Sequence, residues 1–338
     1  MNCCPRRRDF GVGTGGSGLL QRILVIKLSA LGDFVLSLGP MQAIRAAHPR
    51  AEMTLLTTKG LAALAEATGL FQEIWLDERP KLWRLDRVLA LRRRLRAGRF
   101  DRVYDLQTSN RSNAYFRLFW PGPWPEWSGI APGCSHPDTN PERTRIHPVE
   151  AQRGQLAATG IADVPLSDLS CWQGDIAHLN LPTNYAVLLP GGAPHRPDKR
   201  WPAERFGEIA VRLAGQGIAP VIVGGPPEQE AARIIGAASP QALSIVGQTS
   251  LLDLAAVMRG ARLVVGNDTG PMHIASLSGA PCIVLFGPDS RPSLSRPRAH
   301  PDRPQPVVIE APDLAGLPVA TVWQAASDIL REPAPLPR

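Results

Sequence analysis

The feature that most constrains the fold of this chain is the alternation of short apolar runs with helix-like segments. In the first half, apolar or β-branched runs recur at 22–28, 53–57, 73–76 and 102–106. Segments with helical spacing separate these runs. Strands that alternate with helices form βαβ units, so the pattern predicts a parallel sheet that is covered on both faces.

The same pattern starts again near residue 185. Its strand-like runs are 185–189, 220–224, 243–246, 263–265 and 283–286. A chain of 338 residues has enough material for two hydrophobic cores. The sequence therefore predicts an α/β protein with two Rossmann-like domains, whose parallel sheets face each other across a cleft. Ligands are expected at the carboxyl ends of the strands.

The predicted domains are 21–168 and 169–338, preceded by a flexible leader at 1–20. Prolines, glycines and tryptophans crowd together at 120–147, which predicts an irregular loop. For the last amphipathic helix, predicted at 319–332, the sequence leaves open whether it packs back on the first domain.

Positive charge is concentrated in one segment. The chain has 37 Lys and Arg against 30 Asp and Glu, a formal net charge of +7. Much of this excess lies at 79–99, where leucines at helical spacing predict an amphipathic surface helix. We expect its arginines to contact an anionic glycolipid or membrane surface. A solvated helix face is the alternative. A nucleic-acid partner is not expected, because no nucleic-acid-binding signature accompanies the arginines.

Cysteine usage and hydropathy indicate the compartment. The five cysteines are scattered and odd in number, which is typical of a reducing cytosol. No apolar run is long enough to cross a bilayer, and residues 1–20 lack the apolar core of a secretory signal. The glycine-rich segment 11–16 precedes the first strand instead of following it, which disfavours a dinucleotide-binding dehydrogenase. We expect a cytoplasmic protein, with peripheral contact to the inner face of the inner membrane as a further expectation.

Three polar turns lie at the carboxyl ends of predicted strands: 29–33, 190–202 and 267–273. The first puts the carboxylate of Asp33 at a helix start. The second puts the cation of Lys199 beside a helix that starts at Pro202. A carboxylate that deprotonates an acceptor, with positive groups that stabilise a leaving diphosphate, fits group transfer from a diphosphate-activated donor.

The third turn is the most specific of the three. It stands between an apolar strand at 262–266 and a short helix predicted at 274–279. A strand, a tight polar turn and a helix N-terminus bind phosphate well, because free N–H groups and the positive helix end point at one spot. The alternative is that Asp268 and Thr269 only cap the helix.

These motifs together resemble the signatures of the ADP-heptose:lipopolysaccharide heptosyltransferases, which are glycosyltransferase family nine. The similar residues are Ser29-x-x-Gly32-Asp33, Lys199-Arg200-Trp201-Pro202 and Gly266-Asn267-Asp268-Thr269-Gly270-Pro271-Met272-His273, with Leu285-Phe286-Gly287-Pro288 after the last motif. The resemblance covers nearly the whole chain after about Arg22. It implies the GT-B fold, with an acceptor-binding N-terminal domain and a donor-binding C-terminal domain.

The resemblance also implies roles for individual residues. Asp33 matches the general base that deprotonates the acceptor hydroxyl for inverting transfer. The donor-binding residues it implies are Lys199 at the phosphate, Asp268 at the sugar hydroxyls, Thr269 and Gly270 at the diphosphate, His273 beside them, and Glu228 at the ribose. Glu230 is a rival of Glu228 for the ribose.

Three further residues are acceptor-binding candidates. Gly32 allows close approach of the backbone, and Asn110 and Arg111 follow the strand at 102–106. For Asn110 and Arg111 a surface loop is the alternative.

The donor-binding and catalytic assignments have structural alternatives as well. Asp33 can be a simple helix cap, and Lys199 a solvated loop cation. Glu228 can act on a helix dipole alone. His273 can be a buried structural histidine.

The resemblance implies a metal-independent, inverting glycosyltransferase that moves heptose from ADP-heptose to the anionic inner core of lipopolysaccharide. No cofactor and no metal are expected, and the chain has no Asp-x-Asp motif. Leu189 stands where many family members have histidine, and 193–197 replaces a hydroxyl-rich loop. Another nucleotide sugar or glycolipid therefore stays an alternative. An epimerase and a non-catalytic nucleotide-sugar-binding protein are further alternatives.

Overall fold

The computed structural model describes residues 21–80, 84–192 and 200–331. They form two compact α/β units, divided between Cys171 and Trp172, close to the boundary expected after 168. The glycine-rich leader expected at 1–20 lies outside the described residues. Within the described ranges, no helix combines the length and apolar character that a membrane span requires.

The N-terminal unit alternates strands and helices. Its strands are β1 (Arg22–Ile26), β2 (Glu52–Thr57), β3 (Glu73–Leu76), β4 (Arg102–Asp105), β5 (Glu126–Gly129) and β6 (His136–Pro137). Its helices are α1 (Leu31–Ala47), α2 (Lys59–Thr68), α3 (Leu85–Ala97), α4 (Asn110–Arg117) and α5 (Pro148–Ala157). All strands pair in parallel, in the order β3-β2-β1-β4-β5-β6.

The region 120–147 contains β5 and β6, so the prediction of an irregular loop was wrong for these residues. The indole of Trp127 in β5 is fully buried and packs edge-on against Phe116 and Phe119. Trp127 also pairs with Val103 of β4. Burial of this large side chain on the sheet outweighs the turn-like composition around it.

The C-terminal unit repeats the architecture. Its strands are β7 (Tyr185–Leu189), β8 (Ala219–Ile222), β9 (Leu243–Ser244), β10 (Val264–Asn267), β11 (Cys282–Phe286) and β12 (Val307–Glu310). Its helices are α6 (Ala203–Gly215), α7 (Gln229–Ala238), α8 (Leu251–Arg259), α9 (Gly270–Leu277), α10 (Pro292–Ser295) and α11 (Val319–Arg331). The strands are again parallel, in the order β12-β11-β10-β7-β8-β9.

The last helix, α11, packs on its own unit. Its buried residues Val319, Val322 and Ala326 join the core beside Phe206 and Leu213 of α6. The sequence leaves packing on the first domain open for this helix; in the structure its apolar face contributes to the C-terminal core.

Both sheets have the strand order of a doubly wound fold. In the first unit, the strands after β1 are added towards one edge of the sheet and those after β4 towards the other edge. In the second unit, β7 and β10 are the corresponding pair. Ligands of such folds bind in the crevice at the carboxyl ends of that strand pair. The loops after these four strands are therefore where each unit is expected to hold a ligand.

The amphipathic surface helix predicted at 79–99 is confirmed for Leu85–Ala97, which form α3 and in which Leu95 is buried. Two of its arginines are occupied within the protein. Arg92 Nη2 donates to the carbonyl of Trp120 at 2.7 Å, and Arg96 Nη1 donates to that of Phe119 at 2.6 Å. The guanidinium groups of Arg92 and Arg96 therefore bind the turn that follows α4, in addition to any contact with solvent or a partner.

Close packing of α1 gives a stability prediction. A Cβ at Gly39 would overlap the carbonyl oxygen of Pro165, whereas a Cβ at Gly60 in α2 would meet no atom within 4 Å. Gly39→Ala should lower the free energy of unfolding by about 1–3 kcal/mol, because the backbone must shift. Gly60→Ala should leave it unchanged or raise it by up to about 1 kcal/mol. Urea unfolding measures both, and equal stabilities of the two variants would contradict the packing described.

Candidate functional site

A cavity of about 480 Å³ opens at the switch point of the C-terminal sheet. Its walls come from four segments: 189–192 at the end of β7, 223–228 after β8, 249–254 at the start of α8, and 268–271 after β10. A volume of this size is typical of small-molecule sites. Because all four segments belong to one unit, the cavity is a complete pocket of that unit.

Asn267 fixes the shape of this pocket. It is the last residue of β10 and is fully buried. Its Nδ2 donates to the carbonyls of Pro190 at 2.9 Å and Gly191 at 3.1 Å, and its Oδ1 accepts from the Trp201 N–H at 3.0 Å. This one amide therefore ties the loop after β7 to β10, which explains asparagine at this position of the motif.

The predicted turn at 267–273 is shorter than expected. Asn267 pairs with Leu285 in the sheet, and α9 already begins at Gly270, so only Asp268 and Thr269 form the turn. The motif therefore lies one turn further into the helix than predicted. His273 is consequently inside α9, buried, and outside the residues that line the cavity. This position favours the structural alternative for His273.

Asp268, Thr269 and Gly270 all line the cavity. Thr269 is the N-cap residue of α9, but its side chain makes no capping bond. The Asp268 carboxylate instead accepts hydrogen bonds from Ser290 Oγ at 2.8 Å and Ser295 Oγ at 3.5 Å. Helix capping alone therefore does not account for these residues. They leave the positive N-terminal end of α9 facing the cavity.

Glu228 stands on the wall formed after β8. Its carboxylate accepts from the Gly225 N–H at 2.8 Å. A Cβ at Gly191 or Gly224 would crowd the Glu228 side chain, at 3.0 and 2.7 Å, so glycine at both positions leaves it room. Glu230, its rival, is exposed and pairs with Arg233 at 2.7 Å. The geometry favours Glu228 for contact with a ligand, although Glu228 also precedes α7 directly, as the helix-dipole alternative requires.

Two further features complete the picture of this pocket. Lys199 lies outside the described residues. The start of α8, which the sequence analysis did not assign, carries a capping box: Ser250 Oγ accepts from the Asp253 N–H at 3.1 Å, and Asp253 accepts from the Ser250 N–H at 2.8 Å. The Ser-x-x-Asp spacing before an apolar run is a sequence signal that could have found this helix.

Asp33 borders a second cavity, of about 200 Å³, at the switch point of the N-terminal sheet. It is the third residue of α1, and the N-cap residue is Ala30. Asp33 Oδ2 accepts from the Ala30 N–H at 3.3 Å, so the carboxylate has one weak helix-end bond and still borders the cavity. Asp33 is therefore not a simple N-cap.

Gln107 ties the two switch strands of this unit together, as Asn267 does in the other. Its Oε1 accepts from the N–H groups of Leu28 at 2.8 Å and Ser29 at 3.1 Å. The loop after β1, which leads to Asp33, is thus held against the loop after β4. No local sequence pattern announces this contact, because the partners are almost eighty positions apart.

The wall of the Asp33 cavity includes a buried lysine, Lys27, and the buried carboxylate of Asp105 lies close to this lysine. Burial lowers the pKa of Lys27, while the nearby charges of Asp33 and Asp105 raise it. Lys27 Nζ donates to the Leu106 carbonyl at 3.2 Å. Burial raises the pKa of Asp105 to about 6, against hydrogen bonds that lower it. The Lys27 side chain therefore lies within electrostatic range of both carboxylates. Lys27 was missed because it directly follows the apolar strand β1, within a run that reads as core.

Arg143 also borders the Asp33 cavity. Its Nε donates to the buried carboxylate of Asp138 at 2.8 Å. Arg143 comes from the 120–148 region, which sequence reasoning could not assign to any role. The fold therefore adds one cation to the Asp33 cavity that no motif indicated.

The three acceptor-binding candidates lie at the starts of two helices, α1 and α4. Gly32 is in the first turn of α1, next to Asp33. Asn110 is exposed at the start of α4, and Arg111 Nη1 donates to the Pro80 carbonyl at 3.2 Å. None of the three is among the residues that line the Asp33 cavity. Thr108, which does line it, stands two residues before Asn110.

These two units define a class of protein. Each is a doubly wound parallel sheet with a cavity at its switch point, which is the α/β arrangement of GT-B glycosyltransferases. A glycosyl transferase family 9 structure from Veillonella parvula shares the fold with a TM-score of 0.76 at 24% identity, covering 93% of this chain and 98% of that chain. An E. coli heptosyltransferase solved with ADP has a TM-score of 0.71 at 25% identity, covering 91% and 100%.

Sequence comparison finds similarity to the same family. The family model described as "Glycosyltransferase family 9 (heptosyltransferase)" matches residues 141–303. Lipopolysaccharide heptosyltransferase 1 of Escherichia coli (strain K12) is 27% identical over 292 residues, which cover 79% of this chain and 88% of that protein. These matches agree with the family that the motifs resemble, so the resemblance is confirmed, and they support a glycosyltransferase enzyme.

The buried Asp105 gives a prediction about pH. Its folded pKa of about 6 exceeds the ordinary value of 3.8, so the native state binds the proton more tightly than the unfolded chain. Stability from this group is present below about pH 4 and is lost as the pH rises through about 6. Asp105→Asn cannot ionise. Its free energy of unfolding relative to wild type should therefore increase by on the order of 2–3 kcal/mol between pH 4 and 7.

Urea unfolding at several pH values measures this difference. Asp163→Asn is a suitable control, since Asp163 is an exposed carboxylate. The control should follow the pH dependence of the wild type. If Asp105→Asn also follows the wild type at every pH, Asp105 is not the buried acid described.

Proposed function

We propose that this chain transfers heptose from ADP-heptose to the inner core of lipopolysaccharide, with inversion at the anomeric carbon and without a metal ion. The observation that carries the proposal is the C-terminal cavity, in which Glu228 and Asp268 line the walls around the N-terminus of α9. The relative named lipopolysaccharide heptosyltransferase 1 supports the sugar and the acceptor class. The E. coli heptosyltransferase solved with ADP supports the nucleotide.

In this proposal the C-terminal unit binds the donor. The diphosphate lies at the N-terminus of α9, beside Thr269 and Gly270, where the helix dipole and free N–H groups favour an anion. Asp268, oriented by Ser290 Oγ at 2.8 Å, accepts hydrogen bonds from sugar hydroxyls. Glu228 accepts hydrogen bonds from the ribose hydroxyls. Lys199 contacts the donor phosphate, and His273 supports the turn from within α9.

The reaction is a single displacement. Asp33 takes the proton of the acceptor hydroxyl as its oxygen forms a bond to the anomeric carbon. The bond from that carbon to the phosphate oxygen breaks, and its electron pair leaves with ADP. Attack on the face opposite the leaving group inverts the configuration. Lys27 and Arg143 border the Asp33 cavity, so they suit an anionic acceptor. Gly32, Asn110 and Arg111 stay acceptor candidates.

The proposed metal independence has a chemical basis. A helix N-terminus and the proposed lysine contact counter the charge of the leaving diphosphate, which is the task a metal performs in other transferases. The absence of an Asp-x-Asp motif from the chain agrees with this. No cofactor is proposed. The acceptor is an anionic glycolipid, and the protein works in the cytoplasm, at the inner face of the inner membrane.

Turnover with defined substrates tests the proposal. Purified protein is incubated with ADP-heptose and a lipid A-core acceptor, with and without EDTA. We expect ADP release, a heptosylated acceptor and equal rates under both conditions. Loss of activity with EDTA would exclude the metal-free reaction. Turnover only with another nucleotide sugar would exclude the donor. Epimerised sugar without acceptor, or donor binding without turnover, would identify an epimerase or a binding protein instead.

Replacement of the proposed base is the sharpest test of mechanism. Asp33→Asn keeps the shape of the side chain but cannot accept the proton at neutral pH. It should lower kcat by about 10²–10⁴-fold and leave the KM for the donor nearly unchanged. Asp302→Asn, at an exposed carboxylate in the C-terminal unit, serves as the control. Near-full activity of Asp33→Asn would mean that the base lies elsewhere.

Glu228 and Glu230 form a matched pair for the donor site, two residues apart with only Glu228 on the cavity wall. Glu228→Gln should weaken ADP binding roughly tenfold, because a charge-assisted hydrogen bond to the ribose is lost. Glu230→Gln should bind ADP as the wild type does. Isothermal titration calorimetry measures both. The reverse order of effects would assign the ribose to Glu230.

A further inference from the structure

Exposed apolar side chains of the N-terminal unit gather at one place. Seven large hydrophobic residues are exposed in the described part of the chain. Four of them belong to α3 and to the turn that follows α4. They are Leu85 at 67%, Leu89 at 45%, Trp120 at 67% and Trp124 at 43% exposure. A cluster of exposed apolar side chains marks a surface that binds a membrane or another molecule.

The stripe geometry of α3 connects these residues. Leu85, Leu89, Arg92 and Arg96 follow one another at spacings of four, three and four, so they form one stripe along the helix. Arg92 Nη2 donates to the carbonyl of Trp120 at 2.7 Å, and Arg96 Nη2 donates to that of Gly122 at 2.8 Å. The turn with the exposed indole is therefore held directly against the end of the leucine stripe.

The charge of the same region is strongly positive. Segment 84–99 contains seven arginines and one acidic residue, Asp86, so its formal charge is +6, against +7 for the whole chain. Arg93 is exposed and follows Leu89 at a spacing of four, which brings it beside the apolar stripe. The pairs Arg84–Asp86 and Arg87–Glu78 are solvent-exposed and neutralise the region only in part.

We infer that this surface, formed by Leu85, Leu89, Arg93 and Trp120, docks onto an anionic phospholipid bilayer. An exposed indole and leucines insert at the level of the headgroups, where amphipathic aromatic rings are favoured. Arginines beside them attract the phosphates. An anionic bilayer fits this surface better than an apolar protein groove does, because most of the excess positive charge of the chain lies on this helix. A helix of this charge is attracted to a surface of opposite charge.

The inference refines the membrane contact proposed above without depending on the donor or the reaction. It also separates two groups of arginines in α3. Arg92 and Arg96 hold the Trp120 turn in position, and Arg93 faces the lipid. Neutralising all arginines of the helix together would therefore disturb the turn as well as the charge.

Sedimentation with vesicles tests the surface on the full chain without any substrate. Phosphatidylglycerol-rich vesicles should bind the wild type, and pure phosphatidylcholine vesicles should not. Binding should fall sharply between about 0.05 and 0.5 M salt, as the Debye length shortens. Leu89→Ser/Trp120→Ser should weaken binding more than tenfold, and Arg93→Gln about fivefold.

Matched controls make the outcome specific. Val211→Ser removes an apolar side chain from α6 in the other unit that is 49% exposed, close to the 45% of Leu89, and Arg50→Gln removes an exposed arginine outside the surface. Both should bind as the wild type does, and circular dichroism should be unchanged for all variants. Equal binding by Leu89→Ser/Trp120→Ser and wild type would overturn the inference. So would a wild-type dimer that this variant abolishes, because a second copy would then be the occupant.

Discussion

Both candidate sites depend on one constraint. In each sheet, two neighbouring parallel strands lead into connections that run towards opposite edges of the sheet, and a crevice lies at the carboxyl ends of these two strands. In each unit a single side-chain amide fixes the loops at that point. Gln107 accepts two backbone N–H groups of the loop after β1, and Asn267 binds two carbonyls and one N–H around the loop after β7. Backbone groups that would otherwise be buried without partners are satisfied in this way, and the crevice stays open for a ligand.

The two crevices differ in charge as their proposed tasks require. The C-terminal one combines a helix N-terminus with the carboxylates of Glu228 and Asp268, which suits a diphosphate joined to two hydroxyl-rich sugars. The N-terminal one has Asp33 near the cations Lys27 and Arg143, which suits a base that works on an anionic acceptor. The division of labour that we propose between the two units rests on this difference in the residues that line the two cavities.

Much of this could be predicted from the sequence, because hydrophobic alternation and turn chemistry are local signals. The parallel strands and the turn at Asp268 follow from such patterns, whereas the assignment of Glu228 came from the family resemblance. The remaining features depend on contacts distant in sequence. Trp127 makes β5 a strand by burial against Phe116 and Phe119, and Arg143 reaches the Asp33 cavity from a segment with no motif. The length of the Asp268 turn was misjudged because Asn267 continues the sheet instead of the turn.

We propose that the C-terminal unit binds the nucleotide diphosphate with its own residues. A crystal structure of the chain with ADP tests it most directly. We expect the diphosphate within hydrogen-bond distance of the Gly270 N–H at the start of α9, and the ribose hydroxyls on the carboxylate of Glu228. ADP bound at the switch point of the N-terminal sheet, or with its ribose away from Glu228, would contradict it.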